Sequence, residues 1–573
     1  MPCSITKTER VVVLVFTMLE NLVHTAPIYG WPSLVYVLKD LDYYRDLCPP
    51  TTGEPANDTQ PNSTTMAPTS SPVVCAAQDA RLQLIYTISS SMVPCSMLFE
   101  GILFERCGQL VCRVIFHILL LVAYLCIAAS SPEVPDLLFP GTILLGLGGI
   151  FILVSTFEAS NLFPSGRAVF IGLLAGASDS SSCIFLLVKV AYDNGVSMNA
   201  CFYVLAISTL FFLVNTALLP RSHIPWPLPP NYELRRCCCC FCADGKNDNP
   251  VTQDATDAGS TEVEADDRSF TNHNEDKKEP PSENLALENK GFEGDENLNA
   301  DDKTVSVTAE NGAIPIDDVV ISKKERKSMD ESLAEEKRLL DFPSFWSSCR
   351  SPMFILMTIW TISCQGEIFF VIGVMNSWLT WIADGNIEEV SSYTNILAIT
   401  SIGSVAVSPM LGLLFQRNKI RSNNDGKEAA RGPYADLKDS WLPIALATVT
   451  AIAMSCCMMV PSLPVQYGTF FFLMVSRAFF YGASGAIVPI TFPMRLYPSI
   501  FGMVNFVAGV FSFTQYPLFI LIQEELDDDP RWVIAGFLIA NVISLSYPAY
   551  IYYYTTKKEK MNREDSRSQG EIS

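Results

Sequence analysis

Apolar stretches of roughly twenty residues recur along the whole chain, and each is long enough for a helix to cross about 30 Å of hydrocarbon. A chain with 49% hydrophobic and 17% charged residues cannot hide that much apolar surface in a soluble fold. The sequence therefore predicts an all-α integral membrane protein. About twelve stretches are found, near residues 11–36, 82–104, 111–129, 137–159, 168–190, 199–219, 353–382, 392–415, 441–460, 466–492, 500–522 and 532–554.

The short loops between these stretches differ in charge. On one side of the alternating topology they are acidic or neutral, as in "ADGNIEEV" at 383–390 and "EELDDD" at 524–529. The other side carries the positive charge, which is typical of cytoplasmic loops. Both termini are then expected in the cytoplasm. The basic residues are Arg106, Arg113, Arg167, Lys419, Arg421, Lys427, Arg431, Arg495, Lys557, Lys558 and Lys560.

The first loop on the acidic side, residues 38–81, has features of an extracellular segment. It contains two N-glycosylation sequons, at Asn57 and Asn62. Cys48 and Cys75 flank its Pro/Thr/Ser-rich centre, and in an oxidising exterior they are expected to form a disulfide. Two free thiols are the alternative. The first apolar stretch is predicted to be a retained helix rather than a cleaved signal peptide, because it is long and ends without small residues.

A polar segment separates the two groups of six stretches. Residues 220–350 are rich in Asp, Glu, Asn, Ser and Lys and hold most of the net charge of −21. Such a composition predicts a disordered cytoplasmic tether. The chain then divides into an N-terminal six-helix half at 1–219, this tether, a C-terminal six-helix half at 351–555 and a cytoplasmic tail at 556–573.

The tether begins with a cluster of cysteines directly after Arg235 and Arg236. A cysteine cluster beside a helix end favours S-acylation at the membrane surface. A metal site is the alternative, although it lacks a second spaced ligand pair. Near the end of the tether, residues 322–340 predict a short charged helix, either on the bilayer or in solvent. The predicted acylation sites are Cys237, Cys238, Cys239, Cys240 and Cys242.

A hexapeptide occurs twice, as "GILFER" at 101–106 and "GLLFQR" at 412–417. Each copy ends the second stretch of a group of six and begins the loop before the third. Duplicated six-helix halves around a central site are the architecture of many secondary transporters. Glycine permits close helix approach, and a Glu/Arg pair can form charge contacts that break when the halves move.

These repeats resemble the loop motif of the major facilitator superfamily. The resemblance implies that fold, with twelve helices in two halves, and a gating role for the motif. In the second copy Gly412 and Arg417 match, but Gln416 replaces the usual acid, so the second charge contact is in doubt. Arg477 with Gly482 and Gly485 resembles a further signature of the superfamily. The first copy contains Gly101, Glu105, Arg106, Gly108 and Arg113.

Several longer blocks are similar to solute carrier family 43. That family holds facilitative transporters of large neutral amino acids and an equilibrative nucleobase transporter. The blocks, above all the Pro-rich one at 221–232, resemble the nucleobase branch more closely. This implies facilitated transport of purine nucleobases such as adenine without obligatory ion coupling, with leucine-like amino acids as the alternative. The blocks lie at 30–48, 75–87, 178–182, 221–232, 391–395 and 475–482.

Polar residues within membrane helices are costly, so each is a candidate for the transport path. Glu20 and His24 share one face of the first helix, which the superfamily resemblance places at the cavity; a polar stripe that packs helices is the alternative. Arg477 is the costliest, and Glu367, Asp179 or backbone carbonyls are its expected partners. The candidates are Glu20, His24, Asp179, Gln365, Glu367, Phe369, Asn376, Arg477, Tyr481, Asn505 and Gln515.

The candidate residues bear on the ligand class. A zwitterionic amino acid needs both of its charges met, whereas a neutral planar base is recognised by amides at its edges and aromatic rings on its faces. The abundance of amides and aromatic rings favours a base. Arg477 with Glu367 would still be able to hold a zwitterion.

Other functional classes fit less well. The sequence shows no nucleophile constellation, phosphate-binding glycine loop or metal-ligand cluster, so neither an enzyme nor a cofactor is expected. A non-transporting receptor or scaffold would fill the cavity with apolar side chains, and a channel would need a continuous polar pore. The expected partners are a small-molecule substrate and the lipid bilayer, without nucleic acid, and the chain is expected to act as a monomer. The sequons and the disulfide favour the plasma membrane, with an endolysosomal membrane as the alternative.

Overall fold

In the computed structural model the described residues are almost entirely helical. They comprise residues 7–48, 75–163, 167–218, 339–424, 434–493 and 496–570. The helices are α1 Lys7–His24, α2 Trp31–Asp40, α3 Ala76–Ala129, α4 Leu138–Phe157, α5 Arg167–Ser180, α6 Ile184–Asp193, α7 Met198–Leu218, α8 Phe345–Cys349, α9 Pro352–Ile382, α10 Ile387–Ser401, α11 Ser404–Asn424, α12 Ala435–Asp439, α13 Trp441–Met458, α14 Leu463–Thr491, α15 Tyr497–Ser512, α16 Gln515–Glu525, α17 Arg531–Ser544 and α18 Ser546–Gly570.

Most of these helices form membrane spans. Among the described residues, nine helical segments are long and apolar enough to cross a membrane, and two bent pairs raise the number to eleven. The sixth predicted span coincides with α7, which contributes a shorter apolar helix, Met198–Leu213. The all-α membrane fold is confirmed, whereas the number twelve is not confirmed by the described residues.

The helices turn apolar side chains toward lipid as well as toward each other. On α7, Val204, Ile207 and Phe211 are more than half exposed, whereas Phe202 and Ala206 are buried. Large exposed apolar side chains along a whole helix would be costly in water but are stable against acyl chains. This face of α7 therefore belongs to the lipid boundary.

The starts of α9 and α10 carry capping residues. The Ser351 side chain accepts a hydrogen bond from the backbone N–H of Phe354 at 3.2 Å, and Pro352 occupies the first turn. The Asn386 side chain accepts from the backbone N–H of Glu388 at 3.1 Å. These caps satisfy amide groups that have no partner inside the helix, so both helices begin at defined residues.

The first copy of the hexapeptide joins the two spans within α3. The apolar parts of α3 are Ala76–Glu100 and Arg106–Ala129. The backbone leaves helical geometry at Gly108, where φ is 73°. Glycine adopts this left-handed conformation without strain. The kink thus lies where the sequence predicts a loop between spans 82–104 and 111–129.

Two of the spans are broken near the centre of the bundle. The segments on either side of Pro27 meet at 45°, and α10 and α11 meet at 41°. At the first break the backbone N–H of Ala26 leaves the helix and donates to Ser181 Oγ at 2.7 Å. Irregular backbone at membrane depth is stable only inside the protein, and in transporters it surrounds the binding site.

The two halves approach each other closely through small residues. A Cβ atom at Gly176 of α5 would lie 2.6 Å from the carbonyl oxygen of Ser404 in α11. A Cβ atom at Gly502 of α15 would lie 2.9 Å from the Cα atom of Leu98 in α3. Both contacts join the first half of the chain to the second, so glycine sets the spacing between the halves.

The predicted disulfide lies within the described residues, whereas the predicted glycosylation and acylation sites and most of the tether do not. Cys48 and Cys75 are described and form a disulfide, with Cα atoms 5.8 Å apart. We call the face that carries it the disulfide side.

The helices belong to one compact unit, and a second unit, Cys240–Ser322 with Asp565–Ser573, lies almost wholly outside the described residues. Also outside them are Asn57, Asn62, Cys237, Cys238, Cys239, Cys240, Cys242 and residues 219–338.

Candidate functional site

An aromatic contact between the two halves lies beside the break between α1 and α2. Tyr29, in the short turn that follows the break, stacks on Phe369 of α9 with ring centroids 5.3 Å apart and planes at 26°. Arg477 of α14 places its guanidinium carbon 5.2 Å from the centroid of the Tyr29 ring. The sequence predicts Phe369 and Arg477 but misses Tyr29, although Pro27 two residues earlier marks the break.

Arg477 also forms an ion pair across the halves. Its Nη2 atom lies 2.9 Å from Oδ1 of Asp179 in α5. The hydroxyl of Ser404 donates to the other carboxylate oxygen of Asp179 at 3.3 Å. Arg477 and Asp179 are 4% and 6% exposed. Of the partners expected for Arg477, the structure selects Asp179 rather than Glu367.

Further polar groups surround this ion pair. The phenols of Tyr29, Tyr86 and Tyr481 are the electrostatic neighbours of Arg477 besides Asp179. Tyr481 is a predicted site residue and Tyr86 is not. The signal for Tyr86 was its place in the block 75–87 that resembles solute carrier family 43.

Two buried amides near α9 lack partners. The Nε2 amide groups of Gln365 and Gln83 donate to no hydrogen-bond acceptor in the part of the chain that is described. Gln365 lies one helical turn before Phe369, and Gln83 of α3 packs against Gly373 of α9. Buried donors without partners are rare in native structures. These amides are therefore candidates for ligand contact, and the sequence predicts Gln365 but misses Gln83.

A small cavity separates the halves next to the stack. The first half lines it with Tyr29, Ser33 and Ser182, and the second half with Ser401 and Arg477. Its volume is about 20 Å³, which holds about one water molecule. Small-molecule sites typically measure roughly 300–1,000 Å³. This cavity is thus too small for a ligand of that size, and we call this arrangement of the two halves closed.

Glu20 lies apart from this cavity, inside the first half. Both of its carboxylate oxygens accept from Nη2 of Arg113 at 2.7 Å, and His117 Nε2 lies 3.0 Å from Oε1. Arg113 also donates to Ser155 Oγ at 3.0 Å. Neither Glu20 nor Arg113 is exposed. The sequence places Glu20 at the ligand and Arg113 in the loop motif, but the structure joins them, because Arg113 lies a full turn beyond the kink and points into the bundle.

His24 and Glu367 are likewise engaged within single halves. His24 lies between Tyr124 OH at 3.1 Å and Ser208 Oγ at 3.3 Å. Glu367 accepts hydrogen bonds from Ser455 and Asn541. Both sets of contacts join helices of the same half. These two predicted residues therefore pack helices together and do not line the cavity.

The remaining predicted amides lie elsewhere. Asn376 accepts from Lys39 Nζ at 3.0 Å, which links the halves toward the disulfide side. Asn505 donates to the carbonyl oxygen of Phe501 in its own helix at 2.8 Å. Gln515, the first residue of α16, donates to the carbonyl oxygen of Ser512 at the end of α15 at 2.8 Å, while its Oε1 atom has no partner among the described residues. Helix geometry alone does not show which of these amides turn inward.

The loop motif residues differ between the two copies. Arg106 is exposed at the start of the second span of α3. Arg417 donates to the backbone carbonyl oxygens of Leu414 and Asp439, both at 2.8 Å. The second copy thus joins its arginine to carbonyl groups in place of the missing acid. Gly101 and Gly412 lie within helices, and the side chain of Glu105 is outside the described residues.

Residues 62–522 match the family model of the Major Facilitator Superfamily. The chain belongs to this superfamily. It is 30% identical to equilibrative nucleobase transporter 1 of Bos taurus, over 96% of the chain and 97% of that protein. It is 23% identical to large neutral amino acids transporter small subunit 3 of Homo sapiens, over 95% and 93%. The resemblance to solute carrier family 43 is confirmed.

Membership fixes the broad function. The chain is a multi-pass membrane transporter of a small-molecule substrate, and it is not an enzyme. A third relative, amino acid transporter 6-1 of Toxoplasma gondii, is 26% identical over 37% of the chain and 37% of that protein. The relatives thus include both ligand classes that the sequence suggests, with the higher identity on the nucleobase side.

Proposed function

We propose that the chain is a facilitative transporter of purine nucleobases such as adenine, working by alternating access without obligatory ion coupling. The observation that carries the proposal is the stacked pair of Tyr29 and Phe369. Aromatic faces contributed by opposite halves fit a planar base, which would slide between them when the halves separate.

The polar groups around the stack support a neutral ligand. Arg477 is already paired with Asp179, so the site offers no free ionic group. The buried donors of Gln83 and Gln365 suit the ring nitrogens and carbonyl groups at the edge of a base. The 30% identity to a nucleobase transporter, against 23% to an amino acid transporter, favours the same ligand class.

A large neutral amino acid is the second candidate. The amino acid transporter of Homo sapiens covers 95% of this chain. Arg477 would bind the carboxylate of such a ligand if Asp179 moved away. We rank this candidate second because the closed site holds Arg477 and Asp179 together at 2.9 Å.

Alternating access is supported by contacts at two levels of the bundle. Gly176 and Gly502 bring the halves together where α5 meets α11 and α15 meets α3. Toward the disulfide side, Lys189 and Lys39 donate to residues of the second half. A closed cavity between two such sets of contacts fits a cycle in which one set opens at a time.

We further propose the setting in which the transporter works. The basic loops support cytoplasmic termini, and the two sequons support glycosylation of Asn57 and Asn62 at the plasma membrane. The division into halves at 1–219 and 351–555 with a cytoplasmic tether, and S-acylation of the cysteine cluster, remain predictions. The chain is proposed to act as a monomer without nucleic acid.

The test is uptake of labelled adenine and labelled leucine in cells that express the chain, with and without an imposed proton gradient. Saturable adenine uptake that shows exchange and ignores the gradient is the expected result. Uptake of leucine alone would assign the chain to the amino acid branch. Uptake of neither would support a non-transporting receptor or scaffold.

A further inference from the structure

Asp179 occupies a particular position beside the proposed base site. It comes from α5 of the first half, and its carboxylate meets the Arg477 guanidinium of the second half at 2.9 Å. Ser404 satisfies its second oxygen. The protein thus supplies its own carboxylate to the cation that faces the Tyr29 ring.

Two other buried carboxylates that the sequence makes candidates, Glu20 and Glu367, are held elsewhere. Glu20 is held by Arg113 within the first half, and Glu367 by Ser455 and Asn541 within the second. In the part of the chain that the structure describes, Asp179 is the one carboxylate in an ion pair with Arg477. Removing its charge therefore leaves a buried guanidinium without an anion.

We propose that Asp179 is a specificity-determining residue that excludes ligands bearing a carboxylate. This inference rests on the proposed function. A carboxylate ligand must displace Asp179 to reach Arg477, and the displaced carboxylate then remains buried without a partner. Breaking a buried pair in this way is strongly unfavourable. A neutral ligand leaves the pair intact.

The Nε–H group of Arg477 is left for a neutral ligand. Its Nε atom is buried and has no hydrogen-bond partner within the described residues. An N–H group can donate to the ring nitrogen of a base, which is a neutral acceptor. Arg477 thus uses Nη2 to bind Asp179, whereas its Nε–H group has no acceptor among the described residues and is left for the ligand.

The experiment compares two ligands that differ by one carboxylate, purine and purine-6-carboxylate, as competitors of labelled adenine uptake. The wild-type chain is expected to bind purine at least tenfold more tightly. In Asp179→Asn, which keeps the size of the side chain, the ratio is expected to shift at least tenfold toward the carboxylate, because Arg477 now lacks an anion. Asp179→Glu is the matched control and is expected to keep the wild-type preference.

Each result has a defined meaning. Absence of adenine uptake by the wild-type chain would contradict the proposed function itself. Adenine uptake with equal inhibition by both purines would overturn the role of Asp179, and this needs no variant. If Asp179→Asn at normal surface abundance still excluded purine-6-carboxylate as the wild-type chain does, the role of Asp179 would be overturned too. If Asp179→Asn does not reach the cell surface, Asp179→Ser is tested for the same shift in the ratio of inhibition by the two purines. The wild-type comparison of the two purines still tests the role of Asp179 without any variant.

Discussion

Phe369 is the residue on which the second half presents an aromatic face to Tyr29. The two rings lie nearly parallel, with centroids 5.3 Å apart, and Phe369 is 1% exposed. Its neighbour Phe370 is equally buried but packs against Phe537, away from the halves' interface. Two adjacent phenylalanines of one helix thus make different contacts: Phe369 stacks on the first half, and Phe370 packs within the second half.

Phe369→Leu is expected to raise the KM for adenine. Stacking of a base on an aromatic ring contributes about 1–3 kcal/mol, which corresponds to about a five- to hundredfold loss of affinity. The measurement is the concentration dependence of adenine uptake, corrected for surface abundance. Phe370→Leu is the matched control and should change abundance but not KM. Equal KM values for the two variants would show that Phe369 does not touch the base.

Arg113 is expected to matter for stability rather than for ligand binding. Replacing it by Met leaves Glu20 buried without its cation, which costs about 3–5 kcal/mol. Arg113→Met should therefore lower the midpoint of thermal unfolding of the purified protein in detergent. The control is Arg106→Met on the exposed part of the same helix, where about 0.5 kcal/mol or less is expected. Similar unfolding midpoints for both variants would disprove a structural role for the Glu20 pair.

At the scale of helices, the sequence predicts positions better than orientations. The apolar length of each stretch places the spans, and the repeat places a loop where α3 is kinked at Gly108, because both depend on local composition. The sequence does not show that Glu20 turns toward Arg113. Both residues lie on polar helix faces, and a helical wheel cannot tell whether such a face lines a cavity or packs against a neighbouring helix. The sequence misses Tyr29 for another reason. An aromatic side chain in a membrane helix carries no large energetic cost, so it does not stand out as a polar side chain does.

The contact between α5 and α11 yields a prediction for these elements. Gly176→Ala adds a Cβ atom 2.6 Å from the Ser404 carbonyl oxygen, so one of the two helices has to shift. Because α5 and α11 come from different halves, the closed conformation is destabilised and adenine turnover is expected to fall severalfold at normal surface abundance. The measurement is the maximal uptake rate per transporter at the cell surface. The control is Gly536→Ala, whose Cβ atom would meet nothing within 4 Å. A normal rate in Gly176→Ala would mean that this contact does not limit the cycle.

At the scale of the whole molecule, Lys189 forms one of the contacts between the halves toward the disulfide side. It is fully buried and donates from Nζ to Ser391 Oγ at 2.7 Å and to Asn395 Oδ1 at 2.8 Å. The Tyr36 ring lies 4.1 Å from the same nitrogen. All of these partners are neutral, so the ammonium group gains less than it would from a carboxylate. Lys189 therefore links the halves through hydrogen bonds to neutral groups.

Lys189→Met is accordingly expected to shift the population toward a conformation that is open on the disulfide side. The ammonium group bonds across the halves, and Met keeps the length of the side chain but cannot donate. The shift is measured as the distance between fluorophores on non-canonical amino acids at Asn194 and Ile387, two exposed sites on opposite halves, and the mean distance should lengthen. Lys438→Met removes the ion pair with Glu559 within the second half and should leave the distance unchanged. An unchanged distance in Lys189→Met as well would assign closure of that side to other contacts, of which Lys39 with Asn376 is the next to test.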